Sequence, residues 1–214
     1  MNKSGYLIGL FLLICSLSGC KKDDYVYPPV ITEILCARTN ASGSVSSLVT
    51  DRGKLYDALN GNILKGLSKD SVYRVYCVYE LSSEVPNGVN LYSFQLILSP
   101  DPVKANRFPG GIKTDPLKPV SVWLSGGYIN LSLDVNARDL RKHRFHFVDG
   151  GTKELFDHKV WELTLYHDQG GDPEDYFQPI YLSVPLRNYD IISGDEISFK
   201  INTFEGIRTY TLDY

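Results

Sequence analysis

An all-β protein is predicted by three features of the sequence. Several runs alternate between apolar and polar residues, no stretch carries a helical period, and 15 Tyr stand against a single Met within an aromatic content of 12%. Tyr and β-branched residues suit a half-buried pleated surface, and alternation with period two marks a strand with one face in the core. A charged fraction of 22% and a hydrophobic fraction of 43% describe a globular chain rather than a disordered one. Its 214 residues suffice for one large or two small domains with a proper core.

The first element is not a strand. Met1 to Gly5 is short and carries Lys3, Tyr6 to Ile14 is apolar throughout, and the small residues Ser16, Ser18 and Gly19 follow. This three-part order reads as a secretory signal peptide over residues 1–19, too short to span a bilayer. Leu17-Ser18-Gly19-Cys20 resembles the bacterial lipobox. The resemblance implies diacylglyceryl transfer to the Cys20 thiol, cleavage before Cys20, and acylation of the new amine. One acyl chain anchors a protein only marginally, whereas two or more hold it stably. Residues 20–29 then form a tether. Within it, Lys22, Asp23 and Asp24 resemble the export signal of surface lipoproteins in Bacteroidota, the alternative being a plain solvated spacer.

Strands are expected at Val30 to Arg38, at Leu48 to Thr50 after a small-residue loop over Ser42 to Ser47, and at Ser71 to Leu81 and Val89 to Leu98. Asp51-Arg52-Gly53 reads as a turn. Pro86-Asn87-Gly88 supplies a second turn with residues that tolerate positive φ. Five of the 11 prolines and the pair Gly110-Gly111 then fall within Ser99 to Pro119. A ladder lacking so many donors cannot continue, so residues 101–118 are expected as a linker between a domain at 30–100 and one at 119–214.

Beyond the linker, Val120 to Ser125 and Tyr128 to Val135 flank Gly126-Gly127, a two-residue hairpin signature. Lys142 to Val148, Lys159 to Tyr166, Ile180 to Leu186, Glu196 to Phe204 and Ile207 to Tyr214 follow as strands. Ile197, Phe199 and Ile201 alternate with Ser198, Lys200 and Asn202, and Trp161 shares the inward side of its strand with Leu163 and Leu165. Seven short strands at regular spacing suggest an antiparallel sandwich.

Of the 4 Cys, Cys15 leaves with the signal peptide and Cys20 carries lipid on this reading. Cys36 and Cys77 remain in an oxidising compartment, where a disulfide and a buried free thiol are both open. Alternation over Tyr73 to Glu80 places Cys77 on the core side, opposite Arg74 and Glu80.

Trp123-Leu124-Ser125-Gly126-Gly127-Tyr128-Ile129-Asn130-Leu131, then Leu165-Tyr166-His167-Asp168, then a Tyr-rich C-terminal strand form a recognisable order. With the lipobox and Asp51-Arg52-Gly53-Lys54-Leu55-Tyr56, the chain resembles the NigD-like lipoproteins over most of its mature length. The resemblance implies an all-β protein in which an N-terminal OB-like barrel precedes an antiparallel Ig-like β-sandwich. The family takes its name from a bacteriocin operon. The motifs are structural rather than catalytic, so no active residues follow from them.

Little in the sequence points to reactive chemistry. His143 and His146 would share a face on a helix but lie on opposite faces of a strand, so no metal site is expected from them. The acidic loop His167 to Asp175 offers oxygens for Ca²⁺ but lacks EF-hand spacing, and its Gly-Gly-Asp-Pro is ordinary turn chemistry. Gly61 to Gly66 imitates the start of a phosphate loop, with Leu67 where the Lys must stand. No nucleophile elbow appears. The expectation is therefore a non-enzymatic protein without cofactor or metal. A formal net charge of −3 also argues against nucleic acid as a partner. Tyr73, Tyr76 and Tyr92 are a candidate ligand face of the barrel, since OB folds use such faces for oligosaccharides. The functional expectation is a lipid-anchored, surface-exposed outer-membrane accessory or binding protein, engaging the membrane through Cys20 and a protein or glycan as ligand. Bacteriocin immunity or secretion is the associational alternative.

Overall fold

A computed structural model describes residues 29–214. Cys20, Lys22, Asp23 and Asp24 therefore lie outside the described residues.

The chain first forms a closed barrel. Its strands are β1 (Ile31–Thr39), β2 (Val45–Val49), β3 (Leu55–Ala58), β4 (Val72–Leu81) and β5 (Gly88–Leu96), in the order β1-β2-β3-β5-β4. All neighbours are antiparallel except β3 and β5, whose parallel pairing closes the barrel as in an OB fold. Closure removes the free sheet edge that an open five-stranded sheet would expose. Alternation decides what fills it: Leu35 and Ala37 from β1 meet Val75, Cys77 and Tyr79 from β4, all almost fully buried. The strand β2 begins earlier than its small residues suggest, at Val45, because Val45 is itself a barrel-core residue. Asn87, at φ 57°, takes the left-handed position in the turn before β5.

Eight further strands form the second half: β6 (Val103–Lys104), β7 (Lys118–Ser125), β8 (Tyr128–Ala137), β9 (Arg144–Glu154), β10 (Lys159–Asp168), β11 (Tyr176–Pro185), β12 (Glu196–Thr203) and β13 (Gly206–Asp213). They build a five-stranded sheet, β13-β12-β10-β9-β6, facing a three-stranded sheet, β11-β8-β7. The pairing is antiparallel except at β10–β12 and β6–β9. Between the sheets, Ile129, Leu131, Leu133 and Val135 of β8 meet Leu163, Leu165, Ile197, Phe199 and Ile201, all at most 2% exposed. Gly126 and Gly127, at φ 60° and 78°, make the tight β7–β8 turn with both residues left-handed. The proline-rich segment before β7 runs along the sandwich: Asn202 Nδ2 donates to the Thr114 carbonyl, and Leu117 is fully buried in the core.

The three-stranded sheet is covered on both sides. Its inner side faces the sandwich core, and its outer side carries Asn130 and Ser183, both fully buried although polar. The barrel covers that side. Tyr76 of β4 stacks on Tyr181 of β11 with ring centroids 4.7 Å apart, and the Ser183 amide donates to the Leu98 carbonyl at 3.2 Å.

Candidate functional site

The contact between barrel and sandwich is built on one buried charge. Arg74 is on the outer side of β4, a place that alternation assigns to solvent, yet its side chain is 1% exposed because the sandwich docks there. Its Nη2 donates to Asp51 Oδ2 at 2.7 Å and to Asn130 Oδ1 at 2.9 Å, while Nη1 donates to Asp51 Oδ1. The ring is completed by Asn130 Nδ2 donating to Ser125 Oγ at 3.0 Å and Ser125 Oγ donating to Asp51 Oδ2. Ser183 Oγ donates to Asn130 Oδ1 at 2.8 Å, and the Tyr128 ring lies 4.3 Å from the guanidinium carbon. Burial works against the Arg74 charge, but the Asp51 carboxylate more than offsets it and raises the pKa. A buried pair is tolerated when the remaining lone pairs and protons are satisfied, as they are here. Asp51-Arg52-Gly53 and Trp123-Leu124-Ser125-Gly126, distant in sequence, meet at this network.

Beside the network opens a cleft of about 490 Å³, lined by Glu33, Ile34, Asp51, Arg52, Trp123, Ser125 and Gly126. A second cleft of about 400 Å³ at the barrel mouth shares Glu33 and Arg52 with it and adds Lys54, Tyr56 and Tyr79. The two make one groove. Glu33 shares the inward side of β1 with Leu35 and Ala37, and the Tyr79 hydroxyl donates to its Oε1. Burial and that carboxylate push the Tyr79 pKa up. Lys54 lies over the Tyr56 ring at 4.7 Å. Val122 and Leu124 face the sandwich core, so alternation turns Trp123 outward to the cleft, where it is half-buried. The sequence signal for this groove is a carboxylate, Glu33, on the inward side of an otherwise apolar strand.

The three tyrosines expected as a ligand face do not share one surface. Tyr73 packs against the barrel core and accepts from the Ser68 amide. Tyr76 is on the opposite side of β4, under Tyr181. Tyr92 is 53% exposed and donates to Glu80 Oε2 at 2.6 Å. Cys36 and Cys77 are free thiols on opposite faces of adjacent strands: Cys36 faces Tyr128 and Arg74, and Cys77 is inside the barrel.

His143 is buried, and its partner is His167 rather than His146. The His167 Nδ1–H donates to the Asp115 carbonyl at 2.8 Å, since a carbonyl only accepts, which leaves Nε2 to accept from His143 Nδ1 at 2.9 Å. Burial, opposed by that carbonyl, holds the His167 pKa below its ordinary value. In the acidic loop, Asp172 accepts from the amides of Arg138 and Asp139 at 2.6 and 2.8 Å, Asp168 pairs with Lys113, and Asp175 pairs with Arg138. Those carboxylates brace the loop. Among the described residues no group of three or more His, Cys, Asp or Glu forms a metal site. Gly61–Ile63 is a single 3₁₀ turn.

Comparison with known proteins places this architecture. A family model for the NigD-like C-terminal beta sandwich domain matches residues 100–214. Among solved structures, a NigD-like immunity protein from Bacteroides caccae is 27% identical at a TM-score of 0.65, over 87% of this chain and 93% of that one. A Bacteroides vulgatus protein of unknown function (16% identical, TM-score 0.67, 86% and 90% covered) shares the fold. So does a Bacteroides fragilis protein provisionally named a lipoprotein (13% identical, TM-score 0.60, 86% and 98% covered). A search of curated proteins finds no match. Because the family match spans more than half of the chain, and the barrel and sandwich follow in the expected order, the protein belongs to the NigD-like family.

Proposed function

We propose that the protein is a non-enzymatic binding protein of the cell envelope, anchored to the outer membrane through lipid on Cys20 and facing outward. The observation that carries the binding role is the junction groove. Two domains are locked together by a fully satisfied buried ion pair, and the cleft between them presents Trp123, Glu33 and Arg52. A pre-organised cleft of several hundred Å³ with a few convergent polar groups is the usual form of a small-ligand site. Lipid attachment follows from the lipobox, and the provisional name of the Bacteroides fragilis neighbour agrees with it. Eleven peptide steps separate Cys20 from Ile31, so the start of β1 stays within roughly 40 Å of the anchor.

Protease added to intact cells tests the address. The protein is expected to be degraded on intact cells, and Cys20→Ser to release it from the membrane fraction. Protection of the parent until lysis would contradict the outward-facing reading. Alanine at Lys22, Asp23 and Asp24 is expected to restore protection without detaching the protein.

A second reading, bacteriocin immunity, is favoured by one observation, the name of the Bacteroides caccae structure. Expression in a sensitive strain decides it: survival against the cognate toxin supports immunity, and unchanged killing removes it.

A further inference from the structure

We infer that the junction groove is a saccharide site that selects a sugar bearing an acidic group. The inference rests on the envelope-binding reading and names its ligand class.

The floor is Trp123. A half-buried indole on an outward strand position loses apolar surface to water unless something covers it. The face of an indole is electron-rich, and the C–H face of a pyranose is a matching, weakly positive apolar surface. Around the ring the lining is mixed, with Ile34 beside the polar groups of Glu33, Asp51, Arg52 and Ser125, which suits a ligand that carries both apolar C–H faces and hydroxyls.

Charge then narrows the class. Asp51 is engaged by Arg74 and Ser125, so it contributes no free charge to the groove. Glu33 has one oxygen occupied by the Tyr79 hydroxyl, which leaves Oε2 to accept from a ligand hydroxyl. The Arg52 guanidinium has no hydrogen bond or ion pair among the described residues, and the Lys54 ammonium has only its cation–π contact with Tyr56. Two cations without a counter-ion among the described residues thus stand against one carboxylate. An exposed guanidinium fork matches a carboxylate or sulfate bidentately. The ligand that satisfies every group is a sugar ring on Trp123, with a hydroxyl on Glu33 and its acidic group on Arg52. At about 490 Å³ the cleft is larger than a lone anion needs, and its continuation toward Tyr56 leaves room for a further ring. Arg74 and Asp51 hold the walls in place before the ligand arrives.

The protein has two tryptophans, and the second, Trp161, is packed in the sandwich against Tyr189. Trp161→Phe therefore makes Trp123 the sole reporter. Full-length W161F in detergent is titrated with oligogalacturonate, and separately with neutral maltotetraose, while indole emission is followed. The expected result is saturable quenching by oligogalacturonate and at least tenfold weaker response to the neutral sugar. Arg52→Ala in the same background, a change at an exposed turn with no packing to disturb, is expected to weaken binding at least tenfold. Absence of saturable quenching by oligogalacturonate in folded W161F overturns the inference. So does equal response to both sugars, or an unchanged titration in R52A. Protease protection on intact cells, by contrast, strikes the proposed address and leaves the titration untouched.

Discussion

Replacing Arg74 by alanine perturbs the junction at its centre. The parent side chain is 1% exposed and donates to Asp51, Asn130 and Ser183. Its loss leaves the Asp51 carboxylate, itself only 16% exposed, without its counter-ion. Removing one partner of a buried ion pair costs about 3–5 kcal/mol. For a chain of this size each kcal/mol moves the midpoint by about 2–4 °C, so R74A is expected to melt roughly 6–20 °C below the parent. Urea unfolding followed by tryptophan fluorescence measures the loss, with an unchanged slope marking a retained two-state transition. The pairing also predicts a sign. Asp51→Asn destabilises the parent, which keeps a buried guanidinium, but relieves part of the loss in R74A, where the uncompensated carboxylate is the problem. An R74A variant within 1 kcal/mol of the parent would refute this reasoning. A D51N loss that adds in full to that of R74A would refute it equally.

Three further outcomes follow from the same geometry. A Cβ at Gly126 would stand 2.5 Å from Asp51 Cγ, whereas one at Gly127 meets nothing within 4 Å, and both residues have positive φ. Gly126→Ala should therefore cost at least about 1 kcal/mol more than Gly127→Ala in thermal unfolding; equal costs would remove the contact from the account. The Cys77 thiol is pushed up to about 12 by burial and then by the Glu33 charge. Native alkylation should spare it until the chain unfolds, and peptide mapping without reductant should recover no Cys36–Cys77 linkage. Burial alone would raise the Asp172 pKa, but the Asp139 amide, the Lys142 ammonium and the Arg138 amide outweigh it and hold it at about 2, below its ordinary 3.8. A depressed carboxyl contributes stability above its unfolded pKa and loses it as pH falls toward the folded one. Asp172→Asn should thus be less stable at neutral pH and lose stability less steeply between pH 3.8 and 2 in acid titration.

Much of the sandwich is legible in the sequence because its strands are long and one-sided. Ile197, Phe199 and Ile201 point inward by simple alternation, and two consecutive glycines admit only a tight left-handed turn. The barrel is less legible. β2 and β3 are five and four residues long, too short for a period to show, and the parallel pairing β3–β5 that closes the barrel leaves no local trace, nor does β10–β12 in the sandwich. Alternation separates Tyr73 from Tyr76 across the two faces of β4, and the structure keeps that separation. What alternation cannot say is that the outer face of β4 meets another domain. Arg74 therefore reads as a surface cation, and it is the most deeply buried charge at the junction. The groove draws on β1, the β2–β3 turn and β7: strand pairing within the barrel brings the first two together, and docking of the sandwich adds the third. Asp51-Arg52-Gly53 and Trp123-Leu124-Ser125-Gly126 stand out in the sequence only as turn and hairpin motifs, and Glu33, a carboxylate on an apolar strand side, is the one local sign that a groove opens there.

Native-state hydrogen exchange tests the central claim, that barrel and sandwich are one unit locked through Arg74. Amides of β4 in the barrel and of β8 and β11 in the sandwich should open with a common free energy in the parent and with separate ones in R74A. Two distinct opening energies already present in the parent would contradict it.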